Sequence, residues 1–100
     1  MKVYHVTSMK KLLKYKSEGV IKPPVRAWVD VYEAIRFSVN TGRPIILRLN
    51  FPSSAEVLKG HGGNARVLYT NYKIDHILGG HNVQSINYKS NILPVIGTTP

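Results

Sequence analysis

The chain has 100 residues, of which 43% are hydrophobic, and this predicts one domain over residues 1–100 because a single core usually serves roughly 50–200 residues. It contains no cysteine, which excludes disulfides and thiolate metal sites. Because it has no apolar run of ~20 residues and no secretory signal, we expect a cytoplasmic protein without a membrane partner.

The charge is the most unusual feature of the composition. Fourteen Lys and Arg residues against five Asp and Glu residues give a formal net charge of +9. A positive field of this size favours a partner that carries phosphate, either a nucleic acid or a nucleotide. The plain alternative is that the surplus lysines only keep a small protein soluble.

The first element predicted is a strand over residues 2–7, which are rich in Val and Tyr. Ser8 is a good N-cap for a short helix over residues 9–18, and Gly19 is suited to end it. The apolar face predicted for this helix consists of Met9, Leu12 and Leu13.

After the connector Pro23-Pro24, residues 25–29 are predicted to form a second strand. Asp30, with Glu33 three residues later, resembles a capping box and predicts a helix to about Asn40. Its inward side chains are expected to be Val31, Ala34, Ile35 and Ser38.

The second half is rich in strands. Residues 45–49 give the strongest strand signal, and residues 53–65 are predicted to be a loop because they contain three glycines. Strand character returns over residues 65–74, with a bend near Asn71, and Gly79-Gly80 is expected to break the chain. The last strands are predicted at 83–88 and 92–96, with Pro94 favouring an edge or a bulge. Two helices followed by strands indicate an α+β fold.

Three segments, in this order, resemble ADP-ribosyltransferase-like domains. Tyr4-His5-Val6-Thr7-Ser8, with the helix and Gly19 after it, is similar to the family's opening His-x-Thr strand. Val25 to Asp30 and the following helix resemble its second strand and helix, with Trp28 where the family often carries tyrosine. Val67-Leu68-Tyr69-Thr70-Asn71-Tyr72 is similar to the pattern around the catalytic glutamate of the poly(ADP-ribose) polymerase branch.

This resemblance implies a fold, a ligand and a set of site residues. The fold would have two short helices in the N-terminal half packed on a strongly bent or split, mostly antiparallel sheet. The ligand would be NAD, and His5 and Asn71 would take the catalytic positions. The residues expected to hold NAD are His5, Thr7, Trp28 and Tyr32.

The residue at the position of the family's catalytic glutamate determines the activity that we expect. Asn71 can donate and accept hydrogen bonds but carries no charge, so it cannot offset an oxocarbenium-like charge as glutamate can. We therefore expect weak or atypical transfer of ADP-ribose to nucleic acid or protein. The alternative is a non-enzymatic basic domain of the same fold that binds nucleic acid or an acidic protein. A toxin or an inhibitor of a host enzyme is a third hypothesis, which no residue singles out.

Other residues offer further candidates. The RNA 2′-phosphotransferase branch of the same fold uses His and Arg residues instead of a glutamate, so Arg26 and Arg48 are predicted to bind phosphate or nucleic acid. If a substitute carboxylate exists, Glu56 or Asp75 must provide it. The remaining histidines are spaced too irregularly for a metal site, and none is expected.

Overall fold

The computed structural model describes residues 1–83 and the backbone of residues 92–96. Within them the chain forms a small α+β domain with two helices and mostly antiparallel sheet, which confirms the predicted fold class at this level. A single 3-10 turn covers Ile74–His76. The helices and strands are, in chain order, β1 (Lys2–Thr7), α1 (Met9–Glu18), β2 (Val20–Ile21), β3 (Val25–Trp28), α2 (Val31–Thr41), β4 (Ile45–Asn50), β5 (Glu56–Val57), β6 (Ala65–Leu68), β7 (Tyr72–Lys73), β8 (Gly79–Val83) and β9 (Ile92–Ile96).

Both helices begin at the predicted caps. The Ser8 side chain accepts a hydrogen bond from the Lys11 amide at 3.1 Å, and the Asp30 carboxylate accepts one from the Tyr32 amide at 2.8 Å. These contacts satisfy amides that have no partner inside the helix. Gly19 ends α1 in the left-handed conformation, with a φ of 77°, where a residue with a Cβ atom is disfavoured.

The apolar face predicted for α1 is wrong in part. Leu12 is buried, but Met9 is 43% exposed and Leu13 is 59% exposed. The side chain that joins Leu12 against the core is the half-buried Tyr15, because residues three apart lie on one helix face whereas adjacent residues do not. In α2 the prediction holds better, since Ala34 and Ser38 are buried.

Among the described residues the large sheet has two parts, β5-β6-β3 and β1-β4-β8-β9, which are joined by a single residue pair. Its strand order is β5-β6-β3-β1-β4-β8-β9. β1 pairs with β4 along all six of its residues, and β3 pairs with β6 along all four. Between β1 and β3 the described register contains only the pair Tyr4 and Trp28. Beyond that pair the register contains no further pair, so the ladder between β1 and β3 ends at Tyr4, before β1 leads into α1.

Packing on the two faces of the sheet follows the alternation of side chains along the strands. From β1, Val3 faces a core that includes Leu12 of α1 and the side chains of the small β2–β7 sheet. Val6 faces the other side, where Ala34 of α2 packs. The central strand β4 contributes buried residues to both cores, which explains its almost continuous run of apolar residues.

In the second half the structure corrects two boundaries. Gly79 and Gly80 do not break the chain but begin β8, which pairs with β4, and the predicted loop over residues 53–65 contains the short β5. The bend near Asn71 is confirmed, because it separates β6 from β7. The strand at 92–96 and the edge position of Pro94 are also confirmed. Of the strand predicted at 83–88, residues 84–88 lie outside the described residues.

Candidate functional site

A cavity of about 660 Å³ is lined by residues of β1 and β3 around and beyond their one described backbone pair. Continuing the register of Tyr4 and Trp28 would place Val6 opposite Arg26, but no such backbone pair is made. The cavity is lined by side chains from both strands, from α1, from α2 and from the loops nearby. Its lining from the two strands consists of His5, Val6, Thr7, Arg26, Ala27 and Trp28.

A chain of hydrogen bonds links the two strands to α1 at this cavity. The Nδ1 atom of His5 lies 2.6 Å from the carbonyl oxygen of Arg26. Because a carbonyl only accepts, Nδ1 carries the ring proton and donates it. The other ring nitrogen, Nε2, then accepts from the Tyr15 hydroxyl at 3.0 Å. The Thr7 hydroxyl donates to the same Tyr15 oxygen at 3.3 Å.

His5 is uncharged in this arrangement. Burial lowers its pKa below the ordinary value of 6.5, and the positive charges of Lys11 and Arg43 lower it further, while the hydrogen bond to the Arg26 carbonyl opposes them. Since both ring nitrogens are engaged within the protein, His5 contacts a ligand only if Tyr15 gives up its bond.

One side of the cavity is aromatic. Trp28 is half-buried, and its ring centroid lies 5.7 Å from that of Phe37 and 5.3 Å from that of His61. The His61 ring meets the indole edge-on, at 88°. His61 is on the loop between β5 and β6, and it is followed by Gly62 and Gly63, which both have a positive φ. These rings offer apolar faces on which a flat ligand ring can stack.

The rest of the lining is strongly positive. Among the described residues, the acidic side chain of the lining is Glu18. Its carboxylate lies 3.4 Å from the Lys22 ammonium. Both side chains are partly exposed, so this pair adds little stability, but it offsets one charge. The cationic side chains of the lining are Lys11, Lys14, Lys22, Arg26 and Arg43.

The structure brings together four of the residues predicted from the sequence, His5, Thr7, Arg26 and Trp28. Asn71 is exposed in the bend between β6 and β7 and does not line the cavity. Tyr32 is 75% exposed on α2 and is also outside the lining. Glu56 and Asp75 are likewise exposed and outside it, so no substitute carboxylate comes from them in this arrangement.

Arg48 lies at a second, smaller cavity of about 180 Å³ on the α2 face of the sheet. It shares that lining with Tyr4, Ile35 and His81. Burial lowers the pKa of His81, and the Arg48 charge lowers it further. Arg26 and Arg48, which were each predicted to bind phosphate or nucleic acid, therefore line different cavities.

Sequence reasoning missed several side chains of the large cavity. Tyr15 had a usable signal, because it follows Leu12 by three residues and so shares its helix face. Phe37 follows Ala34 by three residues in the same way. His61 had no such signal, since it comes from an irregular segment whose path cannot be derived from periodicity.

A scan against protein-family models and searches of curated proteins and of solved structures find no match to this chain. In the part of the chain that the structure describes, no helix is long and apolar enough to cross a membrane.

Proposed function

We propose that the chain is an ADP-ribosyltransferase-like domain whose large cavity binds NAD, with weak or atypical transfer of ADP-ribose to nucleic acid or protein. The observation that carries the proposal is the composition of the cavity at β1 and β3. There His5 and Thr7 from one strand and Arg26 and Trp28 from the other line a single cavity. These four residues come from the first two of the three segments that resemble the family.

The size and the chemistry of the cavity suit a dinucleotide. Ligand pockets usually enclose roughly 300–1,000 Å³, and this one has about 660 Å³. Trp28 and Phe37 present aromatic faces for a nicotinamide or adenine ring. Arg26 and Arg43 are able to contact phosphate oxygens through two N–H groups each. NAD carries both of these ligand features in one molecule.

The same lining explains why the transfer would be weak. Cleaving the bond between nicotinamide and ribose builds positive charge on the ribose, which a nearby carboxylate stabilises. Among the described lining residues the carboxylate is that of Glu18, and Lys22 lies beside it. The other charges of the lining are positive and oppose this transition state. We therefore expect NAD binding to be more pronounced than turnover.

Calorimetry and thermal melting with NAD test the binding. NAD should raise the melting temperature of the wild type, because a ligand that binds only the folded state stabilises it. Arg26→Ala should weaken this effect and Arg36→Ala should not, since Arg36 is exposed on α2 and outside the lining. Labelled NAD incubated with DNA, RNA and protein acceptors tests the transfer. The proposal fails if NAD neither raises the melting temperature nor labels any acceptor.

The alternative is a non-enzymatic domain that binds nucleic acid through its basic surface. It is favoured by α1, which exposes four lysines, Lys10, Lys11, Lys14 and Lys16. Binding of this kind weakens steeply with salt, because each phosphate contact releases counterions. Two results together would favour this alternative over the first proposal. The protein would bind single-stranded RNA with an affinity that falls as the salt concentration rises, and it would not bind NAD.

A further inference from the structure

Tyr15 occupies a particular place in the large cavity. It lies on α1, half-buried, three residues after the buried Leu12, and this spacing turns its ring towards β1. Its hydroxyl meets two β1 side chains, those of His5 and Thr7, while the residue also lines the cavity. No resemblance to a family suggested a role for this residue.

The hydrogen bonds around the Tyr15 oxygen determine what it can offer. A phenol has one proton to donate and two lone pairs that accept. The proton is directed at Nε2 of His5, because the other ring nitrogen keeps its own proton on the Arg26 carbonyl. One lone pair accepts from Thr7. What remains for a ligand is a single lone pair, so Tyr15 faces the cavity as an acceptor without a free proton.

We infer that Tyr15 is a specificity-determining residue of the cavity and that it selects a ligand hydroxyl, a ribose hydroxyl of NAD in the proposed function on which this inference rests. A ligand oxygen without a proton, such as a phosphate oxygen, would meet a lone pair at this position and be repelled. Phosphate is thereby directed to the cationic side chains of the cavity. His5 is a positioning residue in this scheme, since it acts on the ligand through Tyr15.

The scheme differs from a structural role for Tyr15 in one measurable respect. A merely structural hydroxyl affects all ligands of the cavity equally, whereas an acceptor for one ligand hydroxyl affects only ligands that have it. A double-mutant cycle, with one change in the protein and one in the ligand, isolates the interaction energy between the Tyr15 hydroxyl and one ligand hydroxyl. The protein change is Tyr15→Phe, which keeps the ring, and the ligand change is the removal of one ribose hydroxyl from NAD.

The experiment measures the affinities of wild type, Tyr15→Phe and Tyr69→Phe for NAD and for its single deoxyribose analogues. Tyr69 is the matched control, because it is 61% exposed and outside the cavity. Tyr15→Phe should weaken NAD binding about three- to tenfold, the usual effect of one neutral hydrogen bond. For one deoxy analogue, Tyr15→Phe should cause no loss, whereas the Tyr69 variant should match the wild type throughout.

The possible failures are distinguishable. Equal affinity of wild type and Tyr15→Phe for NAD, or an equal loss for NAD and every analogue, overturns the inference while NAD binding stands. A wild type that does not bind NAD overturns the proposed function, and the inference falls with it. If Tyr15→Phe does not fold, ¹⁵N spectra of wild-type His5 decide: a proton on Nδ1 and none on Nε2 at pH 7 supports the scheme, and the opposite tautomer overturns it.

Discussion

The Nε2 atom of His5 and the hydroxyl of Tyr15 lie 3.0 Å apart, and this contact joins the first strand to the first helix beside the cavity. The same histidine reaches the neighbouring strand through the Arg26 carbonyl. His5 therefore links β1 to β3 through its side chain, next to the single backbone pair that joins the two strands. Its burial and its two partners make it a structural element of the cavity, whatever ligand the cavity binds.

Stability should decrease as the pH falls from 7 to 5. The folded protein holds His5 at a pKa below 6.5, the value expected in the unfolded chain. Through this pH range the unfolded state therefore binds more protons, so protonation favours unfolding and stability rises with pH. Each histidine of this kind contributes at most about 1.4 kcal/mol per pH unit. Urea unfolding at a series of pH values measures the slope.

The control for this prediction separates the two histidines concerned. The lowered pKa of His81 acts in the same direction, so His5→Gln and His81→Gln are compared at each pH. His81 is much less enclosed than His5, and we expect His5→Gln to flatten the profile more. A profile for His5→Gln that remains parallel to the wild type would contradict a neutral, buried His5.

Tyr72→Phe should destabilise the fold by about 1–3 kcal/mol, the usual effect of leaving buried polar groups without a partner. The Tyr72 hydroxyl accepts from the Asn50 amide at 2.9 Å and donates to the His76 carbonyl at 2.6 Å. It thus fastens the small sheet to the end of β4. Tyr69→Phe, at an exposed site, should change the free energy of unfolding by less than about 0.5 kcal/mol. Equal effects of the two substitutions in denaturant unfolding would show that the Tyr72 contacts are unimportant.

Local sequence signals predicted much of this fold, because both helices begin at residues with a clear capping preference. Ser8 and Asp30 cap the helices as expected from their side chains, and β4 forms where its run of apolar residues indicated a strand. The break predicted at Gly79 and Gly80 was wrong. Glycine usually interrupts a strand, but here pairing with β4 holds both residues in an extended conformation. That pairing joins residues distant in the sequence, so the residues around Gly79 and Gly80 give no signal of it.

The candidate site was less predictable than the fold. His5 and Trp28 were found through the order of the segments, but their meeting at one cavity depends on the pairing of β1 with β3, and periodicity does not report pairing. Tyr15 was read as part of a lysine-rich helix. Its role follows only when the distances to His5 and Thr7 are known. The part assigned to Asn71 remains a prediction, with the residue exposed and outside the cavity lining.

Trp28 should report ligand binding through its fluorescence. It is the chain's single tryptophan and lies at the cavity between Phe37 and His61. A ligand ring that stacks on the indole changes its surroundings, so NAD should change the emission in a saturable way. Trp28→Phe should retain the fold and weaken NAD binding, since the smaller ring keeps only part of a stacking contact that is worth about 0.5–1.5 kcal/mol in all.

His61→Ala is the informative companion to that measurement. It removes the edge-on contact and leaves Trp28 in place, so the emission of the free protein should shift while saturation by NAD persists. Emission that stays constant when NAD is added, in a protein that calorimetry shows to bind NAD, would place the ligand away from Trp28.

Lys11 and Lys14 should govern the salt dependence of nucleic-acid binding. Both are exposed on α1, and both line the cavity. The phosphates of a single-stranded RNA that enters the cavity therefore pass close to both lysines. Replacing either with glutamine should reduce the slope of log affinity against log salt by about 0.7 for single-stranded RNA, the loss of one phosphate contact. Lys73→Gln is the matched control, because Lys73 is equally exposed but lies on β7 outside the lining. Fluorescence anisotropy at several salt concentrations measures all three slopes. If Lys73→Gln lowers the slope as much as the α1 variants, the interaction is a diffuse attraction to net charge and involves no defined path into the cavity.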